Sequence, residues 1–313
     1  MSQVKYVSID SERAGQRIDN FLLTYYKGVP RTHVYRVLRK GEVRVNKGRV
    51  QATYRLKTGD EVRIPPVKMD SREINIKVSP ALTQVLENSV LYEDEALLVI
   101  NKPSGLAVHG GSSVSCGVIE ALRAIRPQEK HLELAHRLDK ETSGCLLIAK
   151  KRSVLKALHD MFREREVKKV YHALVIGRWP KRVNKINAAL ERTTLKSGDR
   201  RVRMDEEGKE STTTFSILKH FDDLSLIEAM PQTGRTHQIR VHTQVAGHPI
   251  VGDDKYAPKA QNQALMAAHD IRRLCLHAAR LTFRLPGTDK KITVEAPYDK
   301  AFAEILKRLT DAL

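Results

Sequence analysis

One carboxylate in the middle of the chain has the surroundings of a reactive group. Asp139 lies in His136-Arg137-Leu138-Asp139-Lys140-Glu141-Thr142-Ser143-Gly144, two residues after an arginine. The small hydroxyl residues and glycine that follow it suit a loop better than a helix or strand interior. Leu132–Ala135 before it and the apolar run Cys145–Ala149 after it read as strands. A loop acid held between two strands is placed where a rigid scaffold presents a nucleophile. The plainer reading of these nine residues is an aspartate that caps a turn and pairs with Arg137 or Lys140. Three further stretches carry chemically capable side chains. Lys168–Val175 alternates as a strand, with Lys169, Tyr171 and Ala173 on one face. Gln232–His242 is a dense run of donors after Pro231. A helix from Thr236 would turn Ile239, Val241 and Val245 partly inward and leave Arg235 and Arg240 to meet acids or phosphates. Arg273–Ala278 is apolar enough for core, with Leu276 in reach of a ligand.

Several chemistries find no support. His237 and His242 are five apart and do not share a helical face, and no His-Glu-x-x-His occurs, so no metal is expected. Cys116, Cys145 and Cys275 are odd in number and widely spaced, which predicts buried thiols rather than disulfides or a zinc knuckle. The glycine-containing loop from Lys102 to Gly111 lacks both phosphate-loop and dinucleotide spacings, so no nucleotide cofactor is expected. A glycosidase would need two flanking carboxylates, and only one loop acid ringed by arginines is evident.

The elements that must hold these residues fall into two groups. Against 55 Lys and Arg stand 37 Asp and Glu, a net +18 that favours a polyanionic partner. Residues 1–68 hold 15 of the basic and 6 of the acidic residues, half of that excess in about a fifth of the length. Within them, Ile18, Phe21, Leu22 and Tyr25 follow helical spacing, and Gly28-Val29-Pro30 breaks the helix. A second helix, Arg31–Lys40, sets Val34, Val37 and Leu38 against Arg36, Arg39 and Lys40 and is capped by Gly41. Val43–Val45 and Gly59–Ile64 read as short strands, with a turn at Asn46-Lys47-Gly48. Arg17-Ile18-Asp19, Leu38–Asn46 and Leu56-x-x-Gly59-Asp60 resemble the S4 RNA-binding domain, which implies that Arg31, Arg36, Arg39 and Lys40 meet RNA.

Pro65-Pro66 ends this module. The expected division is an S4-like domain at 1–67, a linker at 68–87 and a second domain at 88–313. In the second domain, strands recur at 89–92, 96–101, 170–176, 213–218, 224–229, 281–285 and 292–296. Helices are expected at Val114–Ile125 and at Ser153–Arg165, the latter capped by Ser153. Lys259–His269 reads as an exposed loop or short helix. Many strands with few, irregularly placed helices predict an α+β fold: a mixed, mainly antiparallel sheet with flanking helices and a central cleft, beside a small S4-type α/β module. No apolar run approaches the ~20 residues of a membrane-spanning helix, and Met1–Asp10 lacks signal-peptide features, so a cytoplasmic location is expected; a monomer is expected as well.

Taken in order, the motifs resemble the RluA-type pseudouridine synthases, which isomerise uridine in RNA to its C-glycoside. The resemblance runs through Asn101-Lys102-Pro103-x-Gly105-x-x-Val108-His109, His136–Gly144 and Tyr171-x-Ala173-Leu174-Val175-x-Gly177. It continues through Gly208–Phe215, Thr233–Arg240, Gly247–Asp253 and Leu276-His277-Ala278. With an S4-like module, it implies large-subunit ribosomal RNA as partner and substrate, with transfer RNA, or an S4-type binding protein without activity, as alternatives. It assigns Asp139 as nucleophile toward C1′ or C6, Arg235 as its ion-pair partner and Tyr171 as the residue that stacks on uracil and helps with the C5 proton. Leu276 would pack on the base, His136 and Arg137 would contact RNA, and Arg137 would enter the stack vacated by the flipped uridine. The resemblance requires neither cofactor nor metal.

Overall fold

The computed structural model describes residues 4–11, 13–26, 29, 31–66, 78–110, 116–194 and 200–312. The chain divides into two compact units, Met1–Lys77 and Val78–Leu313. The first contains β1 (Lys5–Ser8), α1 (Ile18–Tyr25), α2 (Arg31–Arg39), β2 (Arg44–Val45), β3 (Gly48–Arg49) and β4 (Glu61–Ile64), with the sheet in the order β1-β4-β2-β3. Asn46 and Lys47 both take positive φ, 48° and 68°, which closes the β2–β3 hairpin tightly in the strands' own twist. Helical spacing does what it predicts in α2: Val34, Val37 and Leu38 are buried with Ile18, Phe21 and Leu22 of α1. Arg31, Arg36, Arg39 and Lys40 are exposed. Gly28 and Pro30 of the expected breaker lie outside the described residues.

The second unit runs α3 (Pro80–Glu87), β5 (Val90–Glu93), β6 (Leu97–Lys102), α4 (Val118–Ile125), β7 (Glu133–Leu134), β8 (Ser143–Ala149), α5 (Arg152–Arg163) and β9 (Lys168–Ile176). It continues with β10 (Lys185–Thr194), β11 (Arg200–Met204), β12 (Lys209–His220), β13 (Leu224–Pro231), α6 (Gln238–Val245), α7 (Lys259–Ala268), β14 (Leu276–Arg284), β15 (Lys291–Glu295) and α8 (Lys300–Asp311). These strands form an open 11-stranded sheet in the order β11-β10-β12-β13-β9-β14-β8-β6-β5, with β15 on β14 and β7 on β8. Among the described residues of this sheet only the β14–β8 pairing is parallel, so the sheet is mixed and mainly antiparallel. β8 is buried at all seven positions, which explains why it reads as a continuous apolar run and not as an alternation. Val154, Leu158 and Met161 of α5 pack over Leu281, Phe283, Ile292 and Val294, while Phe302 and Ile305 of α8 close a second core with Trp179 and Phe215.

Two readings need correction. The segment 68–87 is not all linker: Pro80–Glu87 is a helix, begun by Ser79, whose Oγ accepts from Leu82 N at 3.2 Å, and anchored by the fully buried Leu86. Residues 67–77 lie outside the described set, as does Val114 at the expected start of α4. Helix α5 is preceded by Lys151 rather than capped by Ser153.

The parallel pair positions the chemistry. It sets His277 opposite Ser143 and Ala278 opposite Gly144, while Leu276 faces Ala173 of β9. Gly144 takes φ +108°, and a Cβ there would stand 2.3 Å from the Ala278 carbonyl oxygen, so only glycine allows this approach. The start of β8, the start of β14 and the middle of β9 are thereby drawn together, and with them Asp139, Leu276 and Tyr171.

Candidate active site

The Asp139 loop is clamped from below. Lys102, at the end of β6, is fully buried, and its Nζ donates to the carbonyls of Pro103, Leu106 and Lys140 at 2.7, 2.8 and 2.9 Å. Burial pushes this ammonium down to about 7, a cost tolerated because three acceptors surround it. Ser104 Oγ donates to Glu141 O, and Gly105 N to Lys140 O. On the other side, Ser143 Oγ accepts from Arg273 Nη2 at 2.7 Å and lies 2.8 Å from His277 Nδ1, whose Nε2 reaches Ala296 O at 3.0 Å. His136 also belongs to this scaffold: its Nε2 accepts from Leu147 N at 3.0 Å and its ring packs on Phe162. Burial drives its pKa down to about 3, so the imidazole is neutral and braces the loop instead of offering RNA a charge. Its Nε2 is committed to the backbone of β8.

Above the loop lies a cavity of about 410 Å³ lined by Asp139, Tyr171, Lys169, Leu276, Phe162 and the 231–240 segment, with Arg137 also on its wall and exposed. Its size is within the ~300–1,000 Å³ of small-ligand pockets. Asp139 Oδ2 stands 3.2 Å from Arg240 Nη1 and 3.8 Å from His237 Nε2. Arg240 is in turn gripped by Asp253, Nε–Oδ2 2.7 Å and Nη2–Oδ1 2.8 Å, with its guanidinium 5.1 Å from the Tyr256 ring centre. Burial alone would loosen the Arg240 proton, but the hydrogen bonds and charge of Asp253, joined by Asp139, outweigh it and hold the pKa above the arginine range. The guanidinium is a fixed positive charge with two carboxylate partners.

This corrects the expected ion pair. Arg235 precedes α6 and directs its Nε to the Glu210 carbonyl at 3.5 Å, whereas Arg240, in the first turn of that helix, turns inward to Asp139. Arg235 still lines the cavity. Ile239 and Val241 are buried as expected, but Val245 is 45% exposed. Among the residues expected to act, the fold brings Asp139, Tyr171, Leu276, His136, Arg137 and Arg235 to one cavity. His237 and Arg240 line the same cavity, and Lys102, Asp253 and Tyr256 hold that lining from behind. Their signal lay in the Asn-Lys-Pro, Thr-His-Gln-Ile-Arg and Gly-Asp runs, but which partner each takes is set by tertiary contacts.

Two further groups have their ionisation set by the walls. Burial, reinforced by the Asp139 charge, raises the Tyr171 phenol above its ordinary value, so it stays protonated at neutral pH. Burial pushes Lys169 down to about 8, and its Nζ donates to Thr233 O at 3.0 Å, tying β9 to the loop before α6. Among the described residues no cluster of three or more His, Cys, Asp or Glu could hold a metal, and no helix is long and apolar enough to cross a membrane.

With this geometry in place, comparison with known proteins is informative. Residues 96–245 match the RNA pseudouridylate synthase family and residues 16–62 match the S4 domain. The chain is 53% identical over 312 residues to ribosomal large subunit pseudouridine synthase C of Salmonella typhimurium, covering 99% of this chain and 98% of that protein. It is 52% identical to the protein of the same name from Escherichia coli K12, with the same coverage. Among solved structures, human RNA pseudouridylate synthase domain containing 4 superposes with a TM-score of 0.60 at 26% identity, covering 74% of this chain and 96% of that one. Human RNA pseudouridylate synthase domain containing 1 gives 0.58 at 26% identity, over 75% and 97%. A matched family domain in the unit that holds the cavity, an S4 domain before it and relatives above 50% identity along the whole length agree, and the chain belongs to the RNA pseudouridylate synthases, as an isomerase that carries an S4 domain.

Proposed function

We propose that the protein converts specific uridines of large-subunit ribosomal RNA to pseudouridine, with Asp139 as nucleophile. The observation that carries this reading is a single cavity carboxylate, on a loop clamped by Lys102 and Ser143, facing a buried guanidinium. An ionised carboxylate in a partly dehydrated pocket is what covalent attack requires. Asp139 attacks C1′ or C6, the C1′–N1 bond breaks, the base turns, C5 bonds to C1′, and the bond to Asp139 breaks to give back the carboxylate; the C5 proton departs and N1 gains one, with no net oxidation or hydrolysis. Tyr171, kept as a neutral phenol, stacks on the uracil and assists at the C5 proton, and Leu276 packs against the base. The target must leave its helix to reach a cavity of this kind, and exposed Arg137 occupies the vacated stack. The enzyme acts as a cytoplasmic monomer.

The test is incubation of purified protein with large-subunit and transfer RNA transcripts that lack pseudouridine, followed by mapping at nucleotide resolution. Modification at a few discrete large-subunit sites is expected. Modification confined to transfer RNA, or none, refutes the substrate assignment.

The S4 unit supplies non-specific affinity in this reading, because α2 presents Arg36, Arg39 and Lys40 to solvent. Reversing all three to Glu in the full chain is expected to weaken RNA binding about tenfold or more. It should also flatten the dependence of log Kd on log salt by about 2, since each phosphate contact contributes ~0.7–0.9 to that slope. Filter binding across salt concentrations measures both, and an unchanged slope removes α2 from the RNA contact.

A further inference from the structure

His237 has an unusual backbone and a fixed ring. It is the residue before α6, in the left-handed region at φ +54°, a conformation that a non-glycine side chain holds only when its surroundings impose it. The surroundings do so: Thr233 Oγ1 and Arg235 N both donate to Gln238 Oε1, at 2.6 and 3.1 Å, and Gln238 Nε2 donates to Thr212 O at 3.0 Å. The turn that carries His237 is therefore pinned to β12. Strained residues of this kind concentrate where a side chain must be aimed.

The ring's tautomer follows from its partners. Val202 N donates to Tyr256 Oη at 3.0 Å, and that oxygen lies 2.7 Å from His237 Nδ1. Tyr256 is buried, so its own hydroxyl proton needs an acceptor, and Nδ1 provides it. Nδ1 is then an acceptor and the imidazole hydrogen resides on Nε2. His237 lines the same cavity as Asp139, with Nε2 3.8 Å from Oδ2, beyond hydrogen-bond range. The ring is kept neutral by burial, which outweighs the pull of Asp139 and takes it down to about 4. The result is an aimed, uncharged N–H donor beside the nucleophile.

We propose that His237 is a catalytic residue that donates its Nε2–H to a carbonyl oxygen of the target uracil while that base carries negative charge, with Tyr256 as the positioning residue that sets the tautomer. This rests on Asp139 opening the uridine. Both routes put charge on the base: breaking C1′–N1 leaves the electron pair on the ring, shared with its carbonyl oxygens, and attack at C6 pushes a pair toward the C4 carbonyl. The charge is withdrawn when C5 bonds to C1′. The imidazole keeps its proton throughout, so no acid need be regenerated. A preorganised donor facing charge that develops only during reaction acts on turnover and not on binding.

The experiment has two arms. In the full-length protein, imidazole ¹⁵N NMR reports the His237 tautomer, expected as neutral Nε2–H from pH 6 to 8 and as a mixture in Tyr256→Phe; a hydrogen on Nδ1 in wild type overturns the proposal. Single-turnover rates on ribosomal RNA are then compared for wild type and His237→Asn, chosen because asparagine tolerates the left-handed region. A loss of about 100-fold in rate is expected, in line with removal of one such donor, with RNA Kd within about twofold. RNA carrying 2-thiouracil or 4-thiouracil at the target should slow the wild type at one of the two positions and slow His237→Asn no further there. A loss confined to Kd, or thio effects equal in both proteins, overturns the proposal. Turnover retained in Asp139→Asn would instead remove the nucleophile while leaving the tautomer result intact, so the two failures are separable.

Discussion

Asp139→Asn is expected to lose at least about 10⁴-fold in turnover, as removal of an essential nucleophile does in other covalent enzymes, while RNA affinity stays within about twofold. The separation follows from the site. Asparagine has nearly the same shape and can still accept from Arg240 Nη1 through its amide oxygen, so the loop held by Lys102, Ser104 and Gly105 has no reason to move. Arg240 keeps its bidentate bond to Asp253, so no buried charge is stranded. What is lost is the anionic oxygen that forms the covalent bond in the proposed mechanism. The measurement is release of the C5 hydrogen from labelled uridine in RNA under single-turnover conditions, paired with filter binding of the same RNA. Turnover within 100-fold of wild type would assign the attack to some other group. A large loss of affinity would mean that Asp139 shapes the RNA surface and that its chemistry had been overread.

Much of this site can be read before folding, and the part that cannot has a common cause. Local pattern places Asp139 on a loop, by the turn residues after it, and Tyr171 on a strand, while their roles come only from the family resemblance. The basic face of α2 is legible for the same reason, at a period of 3.6. The partner of Asp139 is not. Arg235 and Arg240 sit five apart in one run of donors, and the choice between them depends on the left-handed turn at His237 that starts α6 and on Asp253, whose bond to Arg240 no local rule predicts. His136 shows the same limit: the resemblance implies RNA contact, but no local rule predicts the bond its ring accepts from the Leu147 N–H on β8. Helix α3 spans eight residues with one fully buried side chain, too short for a periodic signal, and its burial depends on β6 and α4. Strand β10, Lys185–Thr194, has little apolar alternation because it lies near the sheet's edge, paired by β11 and β12.

Arg240 is the residue whose loss should damage fold and chemistry together. Its side chain is 9% exposed and that of Asp253 is 0%, so Arg240→Met leaves a carboxylate in the interior with the backbone N–H groups of Lys255 and Tyr256 as its remaining donors among these contacts. Breaking one side of a buried pair costs about 3–5 kcal/mol, far more than a surface pair is worth. In a chain of this size that corresponds to a fall in melting temperature on the order of 10 °C. The penalty lies in the stranded anion and not in the missing attraction, which gives a sharper check than the single variant. Adding Asp253→Asn to Arg240→Met should recover about half or more of the lost stability, a coupling that a double-mutant cycle in urea measures directly. Activity should not recover with it, since Asp139 still lacks the guanidinium that orients it. Recovery of stability without turnover would separate the two duties of Arg240, neutralising Asp253 and holding the nucleophile. A cost below about 1 kcal/mol for Arg240→Met would place the pair in the weak range of exposed ion pairs and remove it from the core of the site.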